Sequence, residues 1–528
     1  MFVSPIDPKI GKRAWDNCTI YDNGKFYAFF STGFPSESNP GGRPTAIDIA
    51  VSDDGVHWRF LARDLLPIAG AHAGYGVVRI GDRIMYYPTC SDKEHRTHFK
   101  VYASRDFVNW EHLGDEHDCT YDPRYYAGRW DEVYVLPEKE DGKDVYYGYI
   151  SSEVREDIGA PSVGMMKSYD GVSWEVLPPP VVEWGEIPAH HMELNFCEKL
   201  GDKYYLSMSG RFYLDSHGYS LFTFVGDSPR GPFKPDREMF RLSGTSRRSV
   251  TWLGHTIPTP DDMLVALWLS TGQPHDLPSD NFGIGPLKRL ACEDGHLRLR
   301  YWPNNDRAKG AAVTGITGNL KLAHPAAAVK TERDSVEVEG DAIAMSASRD
   351  GAIAMLNHTF DQHKGFVIEG HLTAWEGWGN RKSHQHAAAA GFFFESADGT
   401  GLAMLPDTLG ATRTGTLRFA DHRITDKDIY ELTGKGLTSG RSGEPQGTSE
   451  FIPEDTVGPF GHASYCGIRH GQKHLFRLIA RGRYFELYID DYYVQTYVLP
   501  EPFTGRVGLA AFDGTCRFEG VKAWELDV

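Results

Sequence analysis

The sequence predicts an all-β protein, a five-bladed β-propeller followed by a C-terminal β-sandwich. Two recurring motifs and a change of texture after Pro303 carry that expectation. Helical periodicity is nearly absent, while alternating aromatic and β-branched residues between Gly, Asp and Asn turns recur throughout.

The first motif is a Ser-x-Asp-x-Val-x-Trp heptad, present as SDDGVHW at 52–58, SRDFVNW at 104–110 and SYDGVSW at 168–174. The second is a Gly turn opening an aromatic strand. It reads NGKFYAFFS from Asn23, GDRIMYYPTCS from Gly81, GKDVYYGYIS from Gly142 and GDKYYLSMSG from Gly201. DDMLVALWLS from Asp261 is a fifth, weaker copy. Gly24, Gly81, Gly142 and Gly201 recur at about 60 residues, room for roughly four short strands per unit, which is the size of a propeller blade. A β-sandwich would also alternate, but it gives no reason for the repeat.

Five such units fill residues 1–305. The small, polar stretch NNDRAKGAAVTGITGN then reads as a linker over 306–330. From 331 to 528 come long alternating strands such as GFVIEGHLTAW and HLFRLIARGRYFELYID, the pattern of an antiparallel sandwich. The Gly/Ser-rich segment 434–450 reads as an exposed loop within it.

Composition narrows the partners. A formal charge of -17 argues against nucleic acid, whose phosphates need a basic surface. The 28 Phe, 26 Tyr and 12 Trp suit a protein that stacks rings on sugar faces. No run of about 18 apolar residues suggests a membrane span. The N-terminal residues show no basic and apolar signal pattern, so a cytoplasmic location is expected. Seven scattered cysteines without a CxxC pair suggest neither a disulfide framework nor a zinc ribbon, and no cofactor is implied.

Chemistry is expected at the first strand of each unit, which lines a propeller's central funnel. Aligned on the Gly turns, Asp16 lies eight residues before Gly24, Asp131 eleven before Gly142 and Glu193 eight before Gly201. The second unit offers AHAGYGVV there, with His72 and Tyr75 but no acid. Acids at matched register on otherwise apolar strands point to a shared site. Two carboxylates facing one bond, one as acid and one as nucleophile or base, are what glycoside cleavage requires. Each acid taken alone is equally at home solvated at a blade edge or capped by backbone amides.

In order, these motifs resemble family 32 of the glycoside hydrolases and, more distantly, family 43. AWDNCTIYDNGKFYAFF sits where family 32 has its Asn-Asp-Pro-Asn-Gly segment, and RWDEVYVL occupies the Arg-Asp-Pro position. MELNFCEKLGDKYYL matches the Glu-Cys-Pro segment, IDIAVSDDGVHW resembles the Trp-Gly-His-Ala-x-Ser-x-Asp turn, and AHAGYGVV the Phe-Ser-Gly-Ser-Ala stretch. The resemblance implies a furanoside substrate, an oligosaccharide or small glycoside. Asp16 would be the nucleophile, Asp131 the acid that binds sugar hydroxyls and Glu193 the general acid/base. The neighbours of each acid depart from the family. Asn17 and Thr19 stand for Pro and Gly, Trp130 separates Arg129 from Asp131, and Leu194 and Asn195 follow Glu193. An arabinofuranoside or galactofuranoside therefore stays open, as do an inverting family 43-like route and a non-catalytic glycan-binding propeller.

Around the acids, Trp15, Trp130, Tyr75 and His72 are candidates to contact sugar, Arg129 to anchor it and His191 to bind hydroxyls. A propeller Trp is as often core. His190 and His191 lack metal-ligand spacing, so no metal is expected. Arg247 and Arg248 read as solvent-facing, and Trp58, Trp110 and Trp174 as structural.

Overall fold

The repeated turns explain why this chain breaks into short antiparallel strands. In the computed structural model, Asn23-Gly24 and Asp141-Gly142 both adopt positive φ at both residues (47° and 82°, 48° and 79°), the backbone of a tight two-residue hairpin. The structure describes residues 2–3, 13–33, 46–63, 65–66, 71–73, 76–91, 97–158, 163–184, 189–212, 220–244, 251–270, 282–324, 334–347, 351–376, 388–395, 400–419, 449–457, 467–499 and 502–528, some strand ends by backbone alone. They fall into two compact units, one of the described residues up to 308 together with 528, the other of those from 309 to 527.

The first unit is built from antiparallel four-stranded meanders. The first comprises Arg13–Asp22, Lys25–Gly33, Ala46–Ser52 and Trp58–Ala62. The second comprises Val77–Ile80, Arg83–Tyr86, Tyr102–Ser104 and Trp110–His112. Its strands continue past local breaks into a satellite sheet of Ala71–Ala73, Thr89–Ser91, Thr97–Phe99 and Cys119–Thr120. The third runs Tyr126–Glu140, Lys143–Val154, Val163–Ser168 and Glu175–Leu177. The fourth runs Ala189–Leu200, Lys203–Phe212, Ser220–Gly226 and Lys234–Pro235. Thr251–Pro258, Met263–Ser270, Lys288–Glu293 and His296–Tyr301 form the last. The first strand of each meander packs against the first strand of the next, and that of the last returns to that of the first.

The heptad is a turn that satisfies itself. Ser52, Ser104 and Ser168 each accept from the amide three residues on (2.8, 3.0 and 2.8 Å). Asp54, Asp106 and Asp170 each accept from the two amides that follow, at 2.7–2.9 Å. These side-chain acceptors fix the hairpin and aim the Trp. Trp110 then packs edge-on against Phe29 of the first meander at 5.8 Å, and Trp174 against Tyr87 of the second at 5.5 Å. Trp302 does the same for the last and first, at 5.8 Å from Phe26, while Asn304 Nδ2 donates to the Asp54 carbonyl at 2.6 Å. Heptad tryptophans of the first unit thus serve to join neighbouring meanders.

The second unit is a sandwich. One sheet is ordered Ser335–Glu339, Ala342–Ala347, Gly514–Leu526, Phe366–Glu376, Lys473–Arg481, Tyr484–Ile489, Tyr492–Val498. The other is ordered Leu322–His324, Ala352–Asp361, Thr504–Phe512, Ala389–Glu395, Thr400–Pro406, Thr412–Phe419, Ser449–Val457. Ile343, Phe366 and Leu478 of one meet Ala354, Phe392 and Leu509 of the other in a single buried cluster. Within the expected linker 306–330, Lys309–Val313 pairs with Gly514–Leu526 and Leu322–His324 with Ala352–Asp361, while 325–330 lie outside the described residues. Small residues read as linker text because edge strands need few large side chains. Of the Gly/Ser-rich segment, 434–448 lies outside the described residues and Ser449 already begins a strand. No helix among the described residues is long and apolar enough to cross a membrane.

Candidate active site

Each first strand that carries a candidate acid is irregular at that acid. In the first meander, pairing jumps from Trp15–Ser31 to Cys18–Phe29, leaving Asp16 and Asn17 in the bulge. In the third, Asp131 pairs with Ser151 and regular pairing resumes only at Tyr134–Tyr149. In the fourth, Glu193 pairs with Ser209 between two register shifts. A bulge re-aims side chains that a regular strand would send to alternate faces.

Arg129 gathers the result. Its Nε donates to Asp131 at 2.7 Å, and its Nη2 donates to Glu132 at 3.3 Å and to Glu193 at 3.2 Å. Side-chain exposure is 20 % for Arg129, 14 % for Asp131 and 8 % for both Glu132 and Glu193, so the cluster is largely shielded from water. Burial works against the guanidinium's charge, yet Asp131, Glu132 and Glu193 together hold it firmly protonated. The carboxylates in turn have a nearby cation, which a buried anion requires.

Glu132 was not singled out in the sequence, because alternation assigns it to the face opposite Asp131. It is instead in the left-handed region, at φ 61°, so two consecutive carboxylates reach one guanidinium. Ser151 Oγ donates to Glu132 at 2.7 Å and accepts from the Leu194 amide at 2.9 Å, linking the third meander to the residue after Glu193. Asn195 extends the link, accepting from Ser209 Oγ at 2.7 Å and the Gly254 amide at 3.2 Å. The signal available in the sequence was the doublet Asp131-Glu132 itself, costly on an inner strand unless both acids share a partner.

Trp130 is corrected. It is fully buried, 4.9 Å from the Tyr126 ring, and packs so close to Gly164 that a Cβ there would meet its ring at 2.6 Å. Lying between Arg129 and Asp131, it faces the other side of the strand and belongs to the core. Asp16 and Trp15 lie in the strand Arg13–Asp22, His72 in Ala71–Ala73, and His190 and His191 in Ala189–Leu200. The side chains of these five lie outside the described residues, as do Tyr75, Arg247 and Arg248 altogether.

Further along the same strands lies a second polar group. Glu198, on Glu193's strand, accepts from Tyr134 Oη and from Thr256 Oγ1 (2.7 Å), and Tyr134 also meets Thr256. Burial raises the Glu198 carboxyl's pKa, although both hydroxyls favour its ionised form. His255, stacked on Tyr134 at 6.3 Å, is pushed down to about 3 by burial and is neutral. Away from both groups, His112, Asp115 and Asp118 come close enough to suggest a cation site. Lys100 Nζ already sits between the two carboxylates, at 3.1 and 3.0 Å, so both are served by a side-chain cation.

No protein-family model and no curated protein matches this sequence. Solved structures do. The family 32 β-fructofuranosidase of Bombyx mori is 14 % identical with a TM-score of 0.58, over 97 % of this chain and 91 % of that one. The sucrose-6-phosphate hydrolase of Lactobacillus gasseri is 13 % identical with a TM-score of 0.61, over 97 % and 91 %. The fructan 1-exohydrolase IIa of Cichorium intybus is 12 % identical with a TM-score of 0.58, over 97 % and 95 %. The chain has the fold of glycoside hydrolase family 32, a propeller followed by a sandwich.

Proposed function

We propose that this protein is a glycoside hydrolase that cleaves a furanoside of the fructofuranoside type, at the axis of a five-bladed propeller. The observation that carries the reading is Arg129, held at once by Asp131 and by Glu193 from the neighbouring first strand. The shared fold supports the same reaction class, and a variant of the Bombyx mori enzyme has been seen in complex with sucrose.

In this mechanism Asp16 attacks the anomeric carbon while Glu193 gives its proton to the departing glycosidic oxygen. The C–O bond breaks and a glycosyl ester with Asp16 forms. Glu193, now ionised, takes a proton from water, which attacks the same carbon and frees Asp16. Two inversions leave the anomeric configuration retained. Asp131 accepts hydrogen bonds from ring hydroxyls, and Arg129 keeps Asp131 and Glu193 oriented in a dry site.

The test is product release from sucrose, inulin, levan and aryl fructo-, arabino- and galactofuranosides, for wild type and Glu193→Gln. We expect activity on one class and a loss of about 10²–10⁴-fold in the variant, the range for a general acid/base. NMR of the first-formed anomer reads retention against inversion. Silence on every substrate from the folded protein would replace this reading with a glycan-binding propeller.

A further inference from the structure

Resting on that reading, we propose that Glu132 is a positioning residue of the site: its carboxylate fixes Arg129 between Asp131 and Glu193, and through Ser151 it fixes the backbone beside Glu193. A non-glycine residue in the left-handed region is strained, and such strain persists only where the surroundings enforce it. Here they do so from three meanders. The Glu132 amide donates to Thr89 Oγ1 of the satellite sheet at 3.2 Å. Its carboxylate takes Ser151 Oγ at 2.7 Å and Arg129 Nη2 at 3.3 Å. Ser151 in turn accepts from the Leu194 amide at 2.9 Å.

The consequence is chemical as well as mechanical. The same Nη2 serves Glu132 and Glu193, so Glu132 takes up part of the guanidinium's donor capacity and charge. Arg129 given to Glu193 alone would hold that carboxylate ionised and make it a poorer acid. The charged groups meeting here among the described residues are Arg129, Asp131, Glu132 and Glu193. In the resembling family's motif the residue after the acid is proline, whose φ is fixed near −65° and which has no carboxylate. Glu132 is therefore a feature of this chain, not of that motif.

The experiment compares wild type, Glu132→Gln and Ser151→Ala. Glutamine keeps the length of the side chain and an acceptor for Ser151 but removes the charge. With the substrate found active above, Glu132→Gln should lower kcat about 10- to 100-fold with KM changed less than about 3-fold, and shift the basic limb of the kcat profile to lower pH. Ser151→Ala should lower kcat by less and leave the pH profile in place. Carbon-13 titration of the Glu193 carboxyl, assigned with Glu193→Gln, reads the coupling without any substrate. There the midpoint should fall in Glu132→Gln. An unchanged Glu193 midpoint in a folded Glu132→Gln protein overturns the proposal, whatever the activity. Silence on all substrates with a shifted midpoint removes the hydrolase reading and leaves the positioning role standing. If Glu132→Gln does not fold, Ser151→Ala decides: unchanged kcat, or with no active substrate a Glu193 carboxyl carbon-13 chemical shift identical to wild type at fixed pH, overturns it.

Discussion

Glu193 and Glu198 stand five residues apart on one strand, each 6 % exposed, and they are held in opposite ways. Glu193 meets the Arg129 guanidinium at 3.2 Å. Glu198 meets two hydroxyls, Tyr134 and Thr256, and burial lifts its pKa. A buried carboxyl without a cation avoids the cost of its charge by keeping its proton. One with a cation can keep the charge, at the risk of leaving it stranded if the cation is lost. The same strand thus offers one carboxyl joined to a charged cluster suited to chemistry and another held by hydroxyls, suited to holding strands together. His255, driven neutral beside Tyr134, belongs to the second kind.

The strongest way to break this comparison is Arg129→Met. It leaves Asp131, Glu132 and Glu193 buried around an apolar side chain, and losing one partner of a buried ion pair costs about 3–5 kcal/mol. The pH dependence follows from the sign. Without the cation the folded carboxyls titrate above their unfolded values, so they contribute stability below about pH 4 that is lost as pH rises. Chemical denaturation should therefore show a large deficit at pH 7 that narrows towards pH 4–5. An equal deficit at both pH values would mean that Arg129 acts by packing alone.

Glu198→Gln probes the other side and should have a smaller effect of opposite sign. The raised folded pKa means that wild-type Glu198 contributes its full stability below the unfolded value and loses it as pH rises through the folded one. Glutamine keeps acceptors for Tyr134 and Thr256 and does not titrate. The variant should match or exceed wild type at pH 7–8, by on the order of 1 kcal/mol, and lose that advantage near pH 4. Its activity should stay within about 3-fold of wild type. A strong loss of stability at pH 7 would show Glu198 to be ionised and paired, and would erase the contrast with Glu193.

Both the legible and the illegible parts of this site come down to how local the determining contacts are. The Gly turns and the Ser-x-Asp heptads were readable because each is closed by hydrogen bonds within three residues. Asp131 and Glu193 were readable as a pair because each lies on a strand that leads into a Gly turn, eleven and eight residues ahead of it. Trp130 was grouped with Arg129 and Asp131 although alternation sets it on the core face, whereas Glu132 was passed over because alternation was followed. For Glu132, alternation fails at a bulge whose left-handed residue is held by Thr89 of the satellite sheet and by Ser151 on the adjacent strand of its own meander. Likewise 309–313 and 322–324 read as linker because their partners lie some 30 or more residues away, at 523–526 and 353–354.

The smallest expected effect sharpens the comparison from outside the buried strands. Asp106 is a carboxylate kept ionised chiefly by amides: the Asn109 amide, helped by the Asn109 side chain and the Val108 amide, holds it at about 2. It stands in water, where little charge has to be compensated. Asp106→Asn should then cost only about a few tenths of a kcal/mol, since exposed electrostatics are screened. The sign is that of a depressed acid: the contribution is present above the unfolded pKa and fades as pH falls through about 2. Thermal melts at pH 7 should separate the two proteins slightly, and melts near pH 2 should bring them together. A loss as large as that of Arg129→Met would mean that the turn, and with it the packing of Trp110 on Phe29, depends on the charge rather than on the geometry of its acceptor.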